Sequence, residues 1–226
     1  MATPENSTFL GLSERKVALS EPLDGPTHRY LGHLARLHRI YLLIGSVAEY
    51  LDGKRCYNTS LLFGPDGELI AFYRKIHLFD IDIPGGPRFL ESATIAPGDR
   101  PVVAATELGV IGLSICFDLR FPMLYHQLVA MGAQILMVPS AFTVQTGKDH
   151  WHPLLRARAI ETQSFLLAPA QDGKHDAGGL RHSYGHSMIV DPWGCVLAEC
   201  GDGPGLCLAE VDLQRVARVR RAIPMG

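Results

Sequence analysis

The feature that most constrains this chain is an unbroken run of small and branched apolar residues, Leu108 to Ile115, that ends on Cys116. A polar turn follows at once, Phe117-Asp118-Leu119-Arg120-Phe121, with Pro122 behind it. The run reads as a buried strand, and a proline placed there opens a helix. The thiol of Cys116 therefore stands at a strand-to-helix turn, facing backbone N–H groups and the positive end of the next helix. Both favour thiolate over thiol. The same N–H groups can bind an oxyanion. The position suits a nucleophile; a buried structural cysteine is the plainer alternative.

The rest of the chain supplies sheets and helices around this turn. Residues 26–38 read as a helix opened by Pro26, with Tyr30, Leu31, Leu34 and Leu37 on one face. Residues 41–47 read as a strand. Residues 60–63 and 68–73 form a hairpin about Gly64-Pro65-Asp66-Gly67. Residues 75–98 lack periodicity and read as a long ordered loop, of the kind that tends to be functional. Strands are expected at 101–105, 109–116, 134–138, 164–171 and 205–211. Helices are expected at 122–131, closed by Gly132, and at 149–162. A second hairpin joins 185–190 to 195–199 about Asp191-Pro192-Trp193-Gly194, residues 172–181 read as an exposed loop, and Asp212 caps a closing helix at 213–221. Hairpins mixed with strand–helix–strand units predict a layered α/β fold with mixed sheets, in a single domain spanning residues 1–226.

Composition removes several function classes. The net charge is −2 with no basic stripe, so nucleic acid has no electrostatic footprint here. No apolar run reaches the length of a membrane span, and the first residues lack the basic start and apolar core of a signal peptide. Five scattered cysteines with no Cys-x-x-Cys pair predict a reduced, cytoplasmic protein.

Four segments, in order and spacing, carry a resemblance: Pro4-Glu5-Asn6, Tyr73-Arg74-Lys75-Ile76-His77-Leu78, Phe89-Leu90-Glu91-Ser92, and Cys116-Phe117-Asp118-Leu119-Arg120-Phe121-Pro122. With residues 156–163, Tyr184-Gly185-His186-Ser187 and Asp191-Pro192-Trp193-Gly194, they resemble the nitrilase superfamily of carbon–nitrogen hydrolases, and within it the Nit-type amidases. The resemblance implies an α-β-β-α sandwich and a Glu-Lys-Cys site. Cys116 is then the nucleophile, Glu5 the general base, Lys75 the cationic electrophile and Glu91 a second carboxylate beside the lysine. Attack on an amide carbon generates an oxyanion, which the Lys75 ammonium and the backbone N–H of Phe117 are placed to stabilise. Two carboxylates beside one lysine keep it charged. The implied reaction is thiol-dependent hydrolysis of a linear amide in a small acidic substrate through a Cys116 thioester. Deaminated glutathione and α-ketoglutaramate are the candidate substrates. No cofactor is implied.

Outside the four motif residues the expectations are finer. Asp118 and Arg120 flank the nucleophile, where an ion pair between them would hold the turn. Arg120, Phe142, Trp151 and His152 are candidates for binding substrate. His152 and Met123 replace glutamates common in relatives, which shifts the expected preference toward acidic substrates. The pairs His150/His152 and His182/His186 have metal-ligand spacing, but no third ligand is patterned around either, so no metal is expected. Relatives usually carry a strand, a helix and a second strand ahead of the Pro-Glu-Asn motif, whereas Glu5 here is four residues from the start. That predicts a truncated chain whose general base frays and whose sheet has an exposed edge. An inactive homologue serving as an interaction module is the alternative. The short C-terminus puts the homodimer or larger oligomer expected for this type in doubt.

Overall fold

The computed structural model of the protein describes residues 1–82, 88–175 and 182–225. Its first half runs α1 (Ser13–Ala18), α2 (Pro26–His38), β1 (Leu42–Tyr50), β2 (Cys56–Phe63), β3 (Leu69–Arg74), β4 (Asp80–Asp82), β5 (Arg88–Leu90), β6 (Ile95–Ala96), β7 (Val102–Thr106) and β8 (Gly109–Leu113). Its second half runs α3 (Pro122–Ala130), β9 (Ile135–Met137), α4 (Val144–Thr162), β10 (Phe165–Ala168), β11 (Asp172–Lys174), β12 (His182–Tyr184), β13 (Met188–Val190), β14 (Val196–Glu199) and α5 (Leu213–Ala222).

Two mixed sheets form the body. One has the order β1-β2-β3, with β6 added parallel to β2. The other has the order β14-β13-β10-β9-β8-β7, in which β8, β9 and β10 are parallel neighbours and the outer strands are antiparallel. Alternation along β1 and β2 sorts their side chains to two faces. Leu43 and Leu62 join Tyr73, Leu113, Leu136 and Phe165 in the large core shared by the two sheets. Leu42, Ile44, Leu61 and Phe63 turn the other way, onto Ala35, Leu31 and Leu34 of α2. Helices α3 and α4 contribute Leu124, Leu128, Leu155 and Ala159 to the large core. The order is helix, sheet, sheet, helix, as the resemblance implied. Among the described residues no helix is long and apolar enough to cross a membrane.

Several expectations need correction. The loop at 75–98 holds the β4–β5 hairpin, a short 3-10 turn at Glu91–Ala93, and β6. Residues 172–174 pair with β12, so that part is no loop, and 176–181 lie outside the described residues. Helix α4 starts five residues earlier than expected and runs through Pro153. Helix α1 was not expected, because none of its residues is buried and so it carries no apolar stripe. Residues 205–211 alternate like a strand but pair with no sheet, and Leu206 and Leu208 are exposed. Asp212 does cap α5, accepting from the Gln214 N–H at 2.9 Å.

The first residues are not frayed. Ala2 bridges to Leu43 in parallel, the Thr3 N–H donates to the Leu43 carbonyl at 3.0 Å, and the Ser7 N–H donates to the Ser46 carbonyl at 2.8 Å. Gln171 Nε2 donates to the Glu5 carbonyl at 2.9 Å from the opposite side. Glu5 is 3% exposed. This docking depends on Gly45, where the β1–β2 register shifts. A Cβ there would lie closer than 3.0 Å to the Thr3 and Pro4 carbonyl oxygens and to Pro139. Gly45→Ala is accordingly expected to lower the unfolding free energy by about 1–3 kcal/mol and to reduce catalysis further by displacing Glu5. Denaturant melts and steady-state rates check both; an active, fully stable variant would show that the close fit at Gly45 does not position Glu5.

Candidate active site

The turn that presents Cys116 is tightly held. Strand β8 ends at Leu113, and Cys116 opens a 3-10 turn, Cys116–Arg120, with φ of 49°. A left-handed φ at a non-glycine residue is a local strain that surrounding structure must enforce. Asp118, fully buried, does much of this. Its carboxylate accepts from the Ile115 N–H (2.8 Å), the Tyr73 hydroxyl (2.8 Å) and the His77 N–H (3.0 Å), and it meets His77 Nδ1 at 2.7 Å. Asp118 thus ties the Cys116 turn to the segment after β3. The expected Asp118–Arg120 pair is not what holds the turn. Arg120 instead lies over the Phe117 and Phe142 rings and meets His150 Nδ1 at 3.2 Å.

That segment carries Lys75, which is 2% exposed. Its Nζ donates to Glu5 Oε1 at 2.9 Å and to Glu91 Oε2 at 2.9 Å. Burial alone would pull this ammonium down, but Glu5 and Glu91 outweigh it and lift Lys75 well above the ordinary lysine range. For Glu91, burial pushes upward while Lys75 and Lys16 pull downward, and the net shift is down. Glu91 also accepts from the Phe79 N–H at 2.7 Å, so the loop after β3 fixes its carboxylate. Lys75, Glu5 and Glu91 therefore form one ion cluster from three distant parts of the chain.

Sequence reasoning missed Asn58. Its buried Nδ2 donates to Glu5 Oε1 at 2.9 Å and to Glu91 Oε1 at 3.2 Å, bridging the two carboxylates. The available signal was three consecutive polar residues, Asn58-Thr59-Ser60, in an otherwise apolar strand; all three are buried.

Cys116 faces this cluster. Burial, then the negative charge of Glu5, push its thiol well above the ordinary range, against an opposing pull from Lys75. The expectation of a resting thiolate is therefore overturned. The turn's dipoles favour the anion, but an enclosed site with a carboxylate beside the sulfur favours the neutral thiol.

Cys116, Glu5, Lys75, Glu91 and Phe117 all line one cavity of about 230 Å³. Arg120 and Phe142 line it too. Trp151 and His152 do not. Trp151 is fully buried behind Phe142, with ring centroids 4.9 Å apart, and its Nε1 donates to the His186 carbonyl at 2.8 Å. His152 pairs with Glu199 at 2.7 Å, away from the cavity. Met123 is exposed on α3. His186 reaches Glu199 and Asp202, yet no group of three metal-ligating side chains occurs among the described residues. Among the described residues the cavity's two carboxylates both belong to the Lys75 cluster, whereas Lys16, Arg88 and Arg120 add positive charge to its wall.

Residues 1–221 match the family model described as "Carbon-nitrogen hydrolase". The chain is 43% identical over 225 residues to the deaminated glutathione amidase of Synechocystis sp. (strain PCC 6803 / GT-S), covering 98% of this chain and 82% of that one. With the deaminated glutathione amidase of Rattus norvegicus it shares 44% identity over 230 residues, covering 98% and 69%. The solved structure of Saccharomyces cerevisiae Nit3, a member of the nitrilase superfamily, is similar with a TM-score of 0.86 at 35% identity, covering 99% of this chain and 80% of that one. A variant of the amidase from Nesterenkonia sp. AN1 is similar with a TM-score of 0.79 at 28% identity, covering 98% and 84%; acrylamide is attached at its active-site cysteine.

Two outcomes are expected. The rate of Cys116 alkylation by iodoacetamide should keep rising with pH beyond the range of an ordinary thiol, and Glu5→Gln should move the profile to lower pH. A parent profile at or below that of a free thiol would contradict the electrostatic reading. Asn58→Ala should lower kcat by up to about a hundredfold with little change in KM, since misplacing a reacting group by ~1 Å has that effect. Unchanged kcat would remove Asn58 from the site.

Proposed function

We propose, for a chain that belongs to the carbon–nitrogen hydrolase family and is an amidase within it, that it hydrolyses the linear C–N bond of a small acidic amide of the deaminated glutathione kind through a thioester on Cys116. The observation that carries this reading is the buried Glu5–Lys75–Glu91 cluster set against Cys116 in one cavity.

The geometry supports the following steps. Glu5 takes the thiol proton as sulfur attacks the carbonyl carbon. The oxyanion is stabilised by the Lys75 ammonium and the N–H of Phe117. Each such donor typically contributes roughly 3–4 kcal/mol to the transition state. Glu5 returns the proton to the leaving nitrogen, the C–N bond breaks and the thioester remains. Glu5 then takes a proton from water, whose oxygen attacks the thioester; the C–S bond breaks, the proton returns to sulfur, and the acid leaves. Glu91 and Asn58 hold Lys75 and Glu5 in place throughout.

The acidic character of the substrate is supported by charge. Among the described residues Lys75 occupies both carboxylates on the wall, and Lys16, Arg88 and Arg120, its other Lys and Arg side chains, are cations. The same charges would accept α-ketoglutaramate, the substrate of an ω-amidase, and residues 75–82 are compatible with that type as well. The buried general base argues against an inactive interaction module.

Purified protein incubated separately with deaminated glutathione and with α-ketoglutaramate is expected to release α-ketoglutarate, fastest from the first, with Cys116→Ala as the blank. Release that persists in Cys116→Ala would remove the thioester route. No release from either substrate would overturn the substrate class.

A further inference from the structure

A second ammonium stands in the cavity. Lys16, on α1, lines the wall it shares with Glu5, Glu91 and Cys116. It is half-buried, and its Nζ donates to the side-chain oxygen of Asn6, a neutral amide. Among the described residues no carboxylate forms an ion pair with it; Glu5 and Glu91 are both taken by Lys75. An ammonium has three donors, so donors remain for a ligand. Burial pulls Lys16 below the ordinary lysine range, only partly offset by the more distant charges of Glu91 and Glu5. A cation held in this way is destabilised until an anion reaches it.

The other cations on the wall are better provided for. Arg88 is exposed and lies 3.8 Å from Asp82. Arg120 is spread over two rings and meets His150. Among the described residues Lys16 alone of these three neither lies over a ring nor stands within 4 Å of a carboxylate; its Nζ hydrogen-bonds only the Asn6 amide oxygen. Its hydrogen bond to Asn6, the neighbour of Glu5 in the chain, ties it to the segment that carries the general base.

We propose that Lys16 receives a carboxylate of the substrate, so that the favoured acyl group carries a carboxylate a few bonds from the amide carbon. The inference rests on the amidase reading given above and adds the residue that reads the acyl half. A neutral amide of the same length would fill the cavity but leave Lys16 unpaired, which makes the residue a filter as well as an anchor.

The test uses the Cys116→Ala protein, which binds without turnover, and isothermal calorimetry with two ligands of equal length. Glutaramate has an amide and a carboxylate; pentanamide has the amide alone. Glutaramate is expected to bind more tightly. Adding Lys16→Met should weaken glutaramate about tenfold or more and leave pentanamide unchanged, while Lys16→Arg should keep most of the preference. Thermal melts of each variant verify folding, and Lys16→Gln provides a second neutral replacement should Lys16→Met fail to fold. Failure of glutaramate to bind, or unchanged binding after Lys16→Met, would overturn the proposal. Equal weakening of both ligands would do the same, by assigning Lys16 to packing. Turnover of the same two amides by the parent protein is read separately. Its absence would count against the amidase reading, whatever the binding shows.

Discussion

An ammonium 2% exposed between two carboxylates is the interaction on which the rest of this structure depends. A lysine so deeply placed is tolerated only if its charge is compensated and its donors are used, because an uncompensated buried charge is strongly destabilising. Glu5 and Glu91 meet both conditions, and they arrive from the N-terminal segment and from the loop after β3. The cluster therefore links the first residues, the end of β3 and the 3-10 turn at Glu91–Ala93 to β2 through Asn58. With two anions and one cation it also has a net negative charge, and Cys116 faces it. The thiol is raised first by its own burial and then by the negative charge of Glu5, against the pull of Lys75. In the proposed cycle the proton stays on sulfur until substrate arrives, and the carboxylate that disfavours the thiolate at rest is the group that takes that proton.

Asp118 transmits the same order to the Cys116 turn. One buried carboxylate grips Ile115 before the turn and Tyr73 and His77 on the lysine side. The left-handed backbone at Cys116 is thus enforced from within the sheet rather than by glycine, and the distance from sulfur to Lys75 is set by bonds to backbone and side chains that do not take part in the reaction. His77 stacks on Phe121 with centroids 3.7 Å apart, which closes the turn from its other side.

What could be read from the chain divides by the range of the physics involved. The β2–β3 hairpin, α2, α3 and the cap on α5 follow from local turn chemistry and periodicity, and they stand where expected. Cys116, Lys75, Glu5 and Glu91 were legible because each lies in a short motif. Asn58 was not, since its role exists only once β2 passes between two carboxylates from elsewhere. Arg120 was assigned to Asp118 by adjacency, but the aspartate's partners are the Ile115 N–H, Tyr73 of β3 and His77 after it. Trp151 and His152 follow one another beside the expected pocket, yet helix geometry sends one inward behind Phe142 and the other to Glu199. The thiolate expectation failed first because the folded chain buries the sulfur and then for the same long-range reason. Dipoles at a turn are visible locally, whereas the opposing charge of Glu5 comes from the far end of the sequence.

The charge layout has a consequence for the direction of the reaction. Substrate meets a wall on which Lys16, Arg88 and Arg120 attract anions, while the negative cluster lies innermost beside the sulfur. In the proposed cycle the reacting carbonyl enters neutral, so the innermost anions do not oppose it. Its oxygen becomes negative only in the transition state, where Lys75 is aimed at it. Hydrolysis turns the same carbon into a carboxylate, and it forms next to Glu5. Like charges that close in a site of low dielectric repel strongly, so the acid product is disfavoured where the amide substrate was accepted. In that proposed cycle one arrangement of charge recruits an acid at the wall, stabilises the oxyanion at the centre and disfavours the new carboxylate once it ionises.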